Sequence, residues 1–511
     1  MIKSKDKYHK ENHNHMKDKK KKSFDECKDN LKIINTNIKL KIKNNNQIFY
    51  FDSQNRPLTI ILSNPKIKWK CKFPITIYLI LLFKKSNIVT IETDPLFGAF
   101  DLTPTNSKRT LIFFNNSWKI ISNVNDSFFP TRQQCEKLVG IDEKCGNIEI
   151  DLQGFSVFLS NDGNILAVGS PNNNNFIGAV WIFKRENSIW YQENKLIGSG
   201  IIGISSKQGS SVALSSDGKT LAIGGIDDDN NIGATWIFEN FNGVWKEQAK
   251  LVGSGNIGKS LQGTSVSLTS DGNIIAIGGI GDNNNIGATW IFYRTNGIWN
   301  QIIKLIGSDY FGQSKQGTSV SLSATGNFLA IGGIGDNYLI GAVWIFTFKN
   351  GIWCQLCSKI VPFDSIDTSI IGSSVSLSAD GYTLAFGGQG DNTVTGAVWI
   401  YIFNGIEFIE QSKLIGSANI GLAQQGCSVS LSSDGNTVAF GGKIDNCNIG
   451  ATWIFTRSKN DWIQKGYTLV GNDFIGSPTQ GTSVCLSANG TTLAIGGPFD
   501  NSCIGATWIF T

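Results

Sequence analysis

From about residue 132 to the end, the chain repeats one arrangement of polar and apolar positions every 54 or 55 residues. In the copy from Gln262 to Ser308, Val266 and Leu268 alternate with Ser265 and Ser267, a period of two that predicts a strand. Asp271-Gly272 follows, the kind of pair that forms a two-residue hairpin turn by supplying positive φ. Ile274 to Ile277 and Ala288 to Phe292 are apolar at consecutive positions, as strands covered on both faces tend to be. A polar turn at Asn296-Gly297 leads to a fourth strand from Trp299 to Ile306. Nothing in the unit repeats with a helical period.

The core motif GA(T/V)WIF begins at Gly178, Gly233, Gly287, Gly341, Gly396, Gly450 and Gly505, so there are seven copies. Repeats of such length belong to solenoids, arrays or propellers, and four antiparallel strands per unit describe a propeller blade. Small residues at Thr264, Ser265 and Ser267 suit the strand nearest the axis; Trp290, Ile291 and Phe292 fill the wider space farther out. The predicted fold is all-β: a seven-bladed β-propeller of four-stranded blades closed by an N-terminal outer strand, preceded by a small β-rich domain and a disordered basic tail.

The closure is read from the ends of the array. A fourth-strand signature recurs at Lys195-Leu196, Lys250-Leu251, Lys304-Leu305, Lys359-Ile360, Lys413-Leu414 and Thr468-Leu469. The seventh copy lacks it, and an extra one, Lys137-Leu138-Val139-Gly140, stands before the first. Cys135 to Gly140 is therefore expected to form the outer strand of the last blade and remove its free edge. Trp118, in TLIFFNNSWKII, is the alternative clasp.

At this point the residues carry a family resemblance. LAVGSP from Leu166 and LAIGGP from Leu493, each followed by a loop and GAVWIF or GATWIF, resemble FG-GAP repeats. That resemblance implies the seven-bladed propeller of integrin α heads, also found in bacterial and viral surface proteins. Family members often hold Ca²⁺ in an extended acidic loop between the first two strands; the bare SSDG-type connection here does not support it.

Ahead of the array, residues 1–35 read as a Lys-rich tail, 36–125 as a small β domain and 126–131 as a linker. Met1 to Lys22 holds nine Lys against three acids, 9 − 3 = +6, while the whole chain is +5, so the remainder is about −1. The excess charge belongs to a solvated tail, and no specific nucleic-acid partner is expected. All three histidines, His9, His13 and His15, lie in it, without enforced metal geometry. Residues 1–30 contain no signal-peptide apolar region. Ile75 to Phe83 is too short to span a bilayer and reads as a buried strand. Ten cysteines are too few for a disulfide scaffold; Cys354 and Cys357 form a lone C-x-x-C without the further ligands zinc requires. Free thiols, no metal and no cofactor are expected.

The longer loops share one face. They carry a recurring acid, read as Asp227, Asp282, Asp336, Asp391, Asp445 and Asp500 with Asn172 in the first blade, more simply explained by turn geometry than by one site. A specific site should break the symmetry, and the loop Val361 to Gly372 does so. Phe363, Asp364 and Asp367 there, with Tyr310 and Tyr338 nearby, are the candidate ligand-binding residues, since aromatic side chains on a rigid rim make hot spots.

No histidine lies in the folded part and no catalytic motif occurs, so the chain is expected not to be an enzyme. The expected function is a binding or structural propeller taking a protein or glycan ligand on the long-loop face. A virion or cell surface is favoured by the resemblance and by an Asn, Lys and Ile bias typical of AT-rich large DNA viruses or protists. The alternatives are an intracellular interaction scaffold, consistent with the missing signal peptide, and a carbohydrate-active enzyme with carboxylates in the central channel.

Overall fold

The computed structural model describes the backbone of eight strands between Ile38 and Asn123, and residues 130–141 and 150–511 in full. The predicted tail with its histidines, most of the linker, and Cys145 lie outside the described residues. The chain parts into two units between Ser127 and Phe128.

The first unit contains two four-stranded sheets. In one, Ile38–Leu40, Leu58–Leu62 and Val89–Thr93 run parallel and Ala99–Leu102 closes antiparallel. In the other, the apolar run Ile75–Phe83 is a strand between Gln47–Ser53 and Lys108–Phe114. Trp118 lies on Ser117–Asn123, which pairs with Lys108–Phe114. It is thus not the clasp.

The second unit is a seven-bladed propeller. Blade three is typical: Gln262–Leu268, Ile274–Gly279, Ala288–Thr295 and Ile298–Leu305 pair antiparallel in sequence order. The seventh blade has three strands of its own, Ser483–Leu486, Leu493–Gly497 and Ala506–Phe510. Its outer edge is covered as expected by the segment ahead of the first blade. Gln134 N–H donates to Ile509 C=O at 2.8 Å, and Leu138 and Thr507 exchange bonds of 2.7 and 3.0 Å.

Closure is visible elsewhere as continuous rings. The innermost strands join through Ser156, Ser211, Ser265, Ser319, Ser374, Ser428 and Ser483, whose hydroxyls donate to a glycine carbonyl of the next blade; Ser483 reaches Gly154 and completes the circle. Each GA(T/V)WIF glycine forms a parallel bridge with the next blade's first strand, Gly505 returning to Gln153. Gly287 has φ +81°, and a β-carbon there would collide with the Gln316 carbonyl, so this junction admits only glycine.

Between blades the core is apolar. Trp181, Trp236, Trp290, Trp344, Trp399, Trp453 and Trp508 are all fully buried. Trp290 packs with Val266 and Ile277 of its own blade against Ala222 and Ile237 of the preceding one. Sheets covered on both faces thus explain the unbroken apolar runs.

One local expectation changes. The connection after the first strand is a loop from Thr269 to Asn273 and not a two-residue turn, and only Gly272 adopts positive φ. Asp271 bonds the Thr269 hydroxyl and the Asn273 amide through Oδ1, an Asx arrangement. Burial alone would raise its pKa, but these bonds hold it below the usual value.

Candidate functional site on the loop face

Each blade presents the same framework on its long-loop face. A buried glutamine that opens the first strand clamps the glycine ending the preceding fourth strand: Gln316 accepts from Gly307 N–H at 2.5 Å and donates to its carbonyl at 3.0 Å. Gln153, Gln208, Gln262, Gln425 and Gln480 make the same pair of bonds. Blade five departs. Pro362 stands where the glycine would be, and Ile371, fully buried, where the glutamine would be. A proline has no N–H to offer, so replacing its amide partner with an apolar side chain leaves nothing unsatisfied.

The recurring acid is a buried ion pair. Asp228, Asp282, Asp336, Asp391 and Asp500 pair with Lys250, Lys304, Lys359, Lys413 and Lys137 at 2.6 to 2.9 Å. The register assumed from sequence is therefore corrected by one residue in two blades: Asp228, and Asn173 in blade one, hold the position, while Asp227 pairs with Lys207 at 2.9 Å. The lysine that closes each pair comes from the fourth-strand signature. In blade three its ammonium also lies 5.3 Å from the Trp290 ring centroid and donates to the Gly255 carbonyl at 2.7 Å. Carboxylate, indole face and carbonyl together form a cation cage.

The other carboxylate oxygen organises the surface. Asp282 Oδ1 accepts the Ile257 amide at 2.8 Å. Equivalent bonds fix Ile202, Phe311, Ile366, Ile420 and Ile475, so six half-exposed apolar side chains repeat around this face. The sequence reading missed both this ring and the ion pairs. Their signal was a Lys recurring 22 or 23 residues after the Asp in blades two to five, as from Asp282 to Lys304.

The predicted ligand-binding residues fall on blades four and five. Tyr338, 79% exposed, meets the Phe311 ring edge-on with centroids 5.5 Å apart, and the Tyr310 side chain beside it is partly exposed. Phe363 is 92% exposed. Asp364 is engaged internally: its Oδ1 accepts the Trp399 indole N–H at 2.7 Å, and its carbonyl accepts Lys413 Nζ. Asp367 is exposed, with φ +64°. Among the described residues all cysteines are free thiols, and no group of three or more metal-ligating side chains occurs. No helix among them is long and apolar enough to cross a membrane.

Two blades break the ion-pair pattern. In blade one Asn173 donates to Asp151 at 3.0 Å while Lys195 stays 4.9 Å from the Trp181 centroid. In blade six Asp445 keeps its bond from Ile420 N–H at 2.7 Å, but Thr468 replaces the lysine. Burial pushes the Asp445 carboxyl up to about 6, the Ile420 amide opposing this only in part.

No family model matches the chain, and no curated protein does. Solved structures do match by fold. One is titled Kuenenia stuttgartiensis Hydrazine Synthase, 14% identical, with a TM-score of 0.44, covering 73% of this chain and 99% of that one. This corrects the expectation that the chain is not an enzyme. The matching structure bears an enzyme's name, and at that similarity no activity is carried over.

Proposed function

We propose that the propeller is an interaction module whose loop face docks a protein or glycan, with blades four and five as the centre of contact. The observation that supports this is the apolar ring of the loop face, Ile202 to Ile475, whose one aromatic member, Phe311, is joined on blades four and five by the exposed Tyr338 and Phe363. Exposed apolar side chains set on hydrogen-bonded loops lose little freedom on binding, and Phe311 and Tyr338 lie against one another there. The framework beneath them is rigid: Ile370 N–H donates to Leu339 C=O at 3.0 Å, tying the two candidate loops together.

We further propose that the repeats are kin to the FG-GAP type and that the protein acts at a virion or cell surface. The LAVGSP and LAIGGP motifs and the Asn, Lys and Ile bias support this reading.

A screen against glycan arrays and purified surface proteins, run with the full chain and with a Phe311→Ser, Tyr338→Ser, Phe363→Ser variant, tests the proposal. The expected result is a ligand retained by the first and lost by the second at unchanged melting temperature. Equal binding by both refutes the placement of the site.

A further inference from the structure

The ion pairs of the loop face show what their cages are built to hold. In blades two, three and five the chain's own lysine brings an ammonium against the Asp carboxylate, over the Trp ring, and onto a loop carbonyl, that of Gly200, Gly255 or Asp364. Blade six retains every part of this cage. Asp445 is fixed by the Ile420 amide as its counterparts are. Trp453 has the same orientation, its indole N–H donating to Ser417 C=O at 2.8 Å as that of Trp290 does to Ser254 C=O at 2.9 Å. The carbonyl of Ala418, next after Ser417, corresponds to that of Gly255, next after Ser254.

Among the described residues only the cation is missing. The bridge of Thr452 with Leu469 puts Thr468 opposite Trp453, where blade three pairs Trp290 with Lys304. A threonine side chain ends well short of where an ammonium would sit. Among the described residues Asp445 Oδ2 has no hydrogen-bond or ion-pair partner, and no charged side chain acts on the carboxyl. Asp445 is 3% exposed, whereas its ion-paired counterparts are at 1% or less, so this acid is buried nearly as they are. Burying an ionised carboxylate without a counter-charge is costly. Unlike the change in blade five, where Pro362 and Ile371 compensate each other, this one is uncompensated among the described residues.

We propose that blade six binds an alkylammonium group from outside the chain, held by Asp445 Oδ2, the face of Trp453 and the carbonyl of Ala418. The ligand class is a primary amine, either a small free amine or the side chain of a lysine on another protein. The site does not depend on the aromatic patch of blades four and five.

The test uses the full chain at pH 7.5, with n-butylammonium chloride as probe and equimolar sodium chloride as reference. Wild type is expected to melt higher in butylammonium and to shift the ¹³C resonance of the Asp445 carboxyl saturably. Thr468→Lys supplies the internal cation and should weaken the apparent affinity by at least about tenfold, the loss of one pK unit's worth of interaction. Asp445→Asn should not respond. Absence of a wild-type response, an equal response from Thr468→Lys, or a response retained by Asp445→Asn each overturns the proposal. If Thr468→Lys fails to fold, the Asp445→Asn comparison decides alone. Potassium chloride matching the effect of butylammonium overturns the assignment to an amine. A parallel titration with Nα-acetyl-lysine methylamide separates the two sources: entry of both probes indicates a site for free and chain-borne amines, entry of butylammonium alone one for free amines.

Discussion

Blades three and six have the same strand order, the same buried tryptophan and the same carboxylate bonded to a loop amide. They differ at the position opposite that tryptophan, Lys304 in one and Thr468 in the other. In blade three the charge is neutralised from within, and the ammonium is spent on the fold. In blade six the same pocket is left with a buried acid whose pKa has risen to about 6. The difference separates two kinds of asymmetry in a repeat protein. Blade five exchanges Gly and Gln for Pro and Ile together, so its departure restores a satisfied core; blade six changes one partner of a pair and leaves the other exposed to ligand chemistry.

The comparison presupposes that all blades sit in one closed disc, and the strongest way to break it is to open that disc. Deleting Cys135 to Gly140 removes the Leu138–Thr507 bonds and the Lys137–Asp500 pair. With one to two kcal/mol per hydrogen bond and more for the buried charge, a loss on the order of 5 kcal/mol is expected. Hydrogen exchange should then be fastest in Ala506–Phe510. A deletion variant that melts like the intact chain would refute the clasp.

Copying blade six into blade three comes next. Lys304→Thr strands Asp282 and should cost about 3 kcal/mol, read by denaturant unfolding. Thr468→Lys, the reverse exchange, should stabilise. Equal and negligible effects of both would remove the distinction between the two blades.

The smallest effect tests the other asymmetry. Gln316→Ala leaves the Gly307 amide and carbonyl without their partner and should cost about 2 kcal/mol. Replacing Gly307 and Gln316 together by Pro and Ile, as in blade five, should not recover it, because a β-carbon at position 307 would collide with the Trp344 indole, whereas blade five holds its tryptophan through Asp364.

Most of this architecture could be read before the structure. The period-two alternation of Val266 and Leu268, the apolar third strand and the displaced Lys137-Leu138 signature specified strands, blade order and closure, because each follows from local patterning. What the sequence reading did not reach was side-chain partnership between distant positions. Asp282 was read as a turn residue because an Asp among Gly and Asn usually is one; its lysine lies on another strand, and only the fold brings them to 2.6 Å. The same holds for Asp364, a symmetry-breaking candidate that caps Trp399. Register within one loop was misread: of the consecutive acids Asp227, Asp228 and Asp229, only Asp228 stands five residues before its GATWIF glycine, Gly233, as Asp282 does before Gly287.

The contrast between internally and externally satisfied acids is tested most directly by the pH titration of Asp445, followed by ¹³C NMR of its carboxyl. Its folded pKa is raised above the unfolded value, so the folded state binds the extra proton between about pH 4 and 6, and stability should fall across that window by about 3 kcal/mol as pH rises. The predicted midpoint in wild type is about 6. In Thr468→Lys it should drop below that as an ammonium occupies the cage. A midpoint in the ordinary aspartate range in wild type, unchanged by the lysine, would contradict the account.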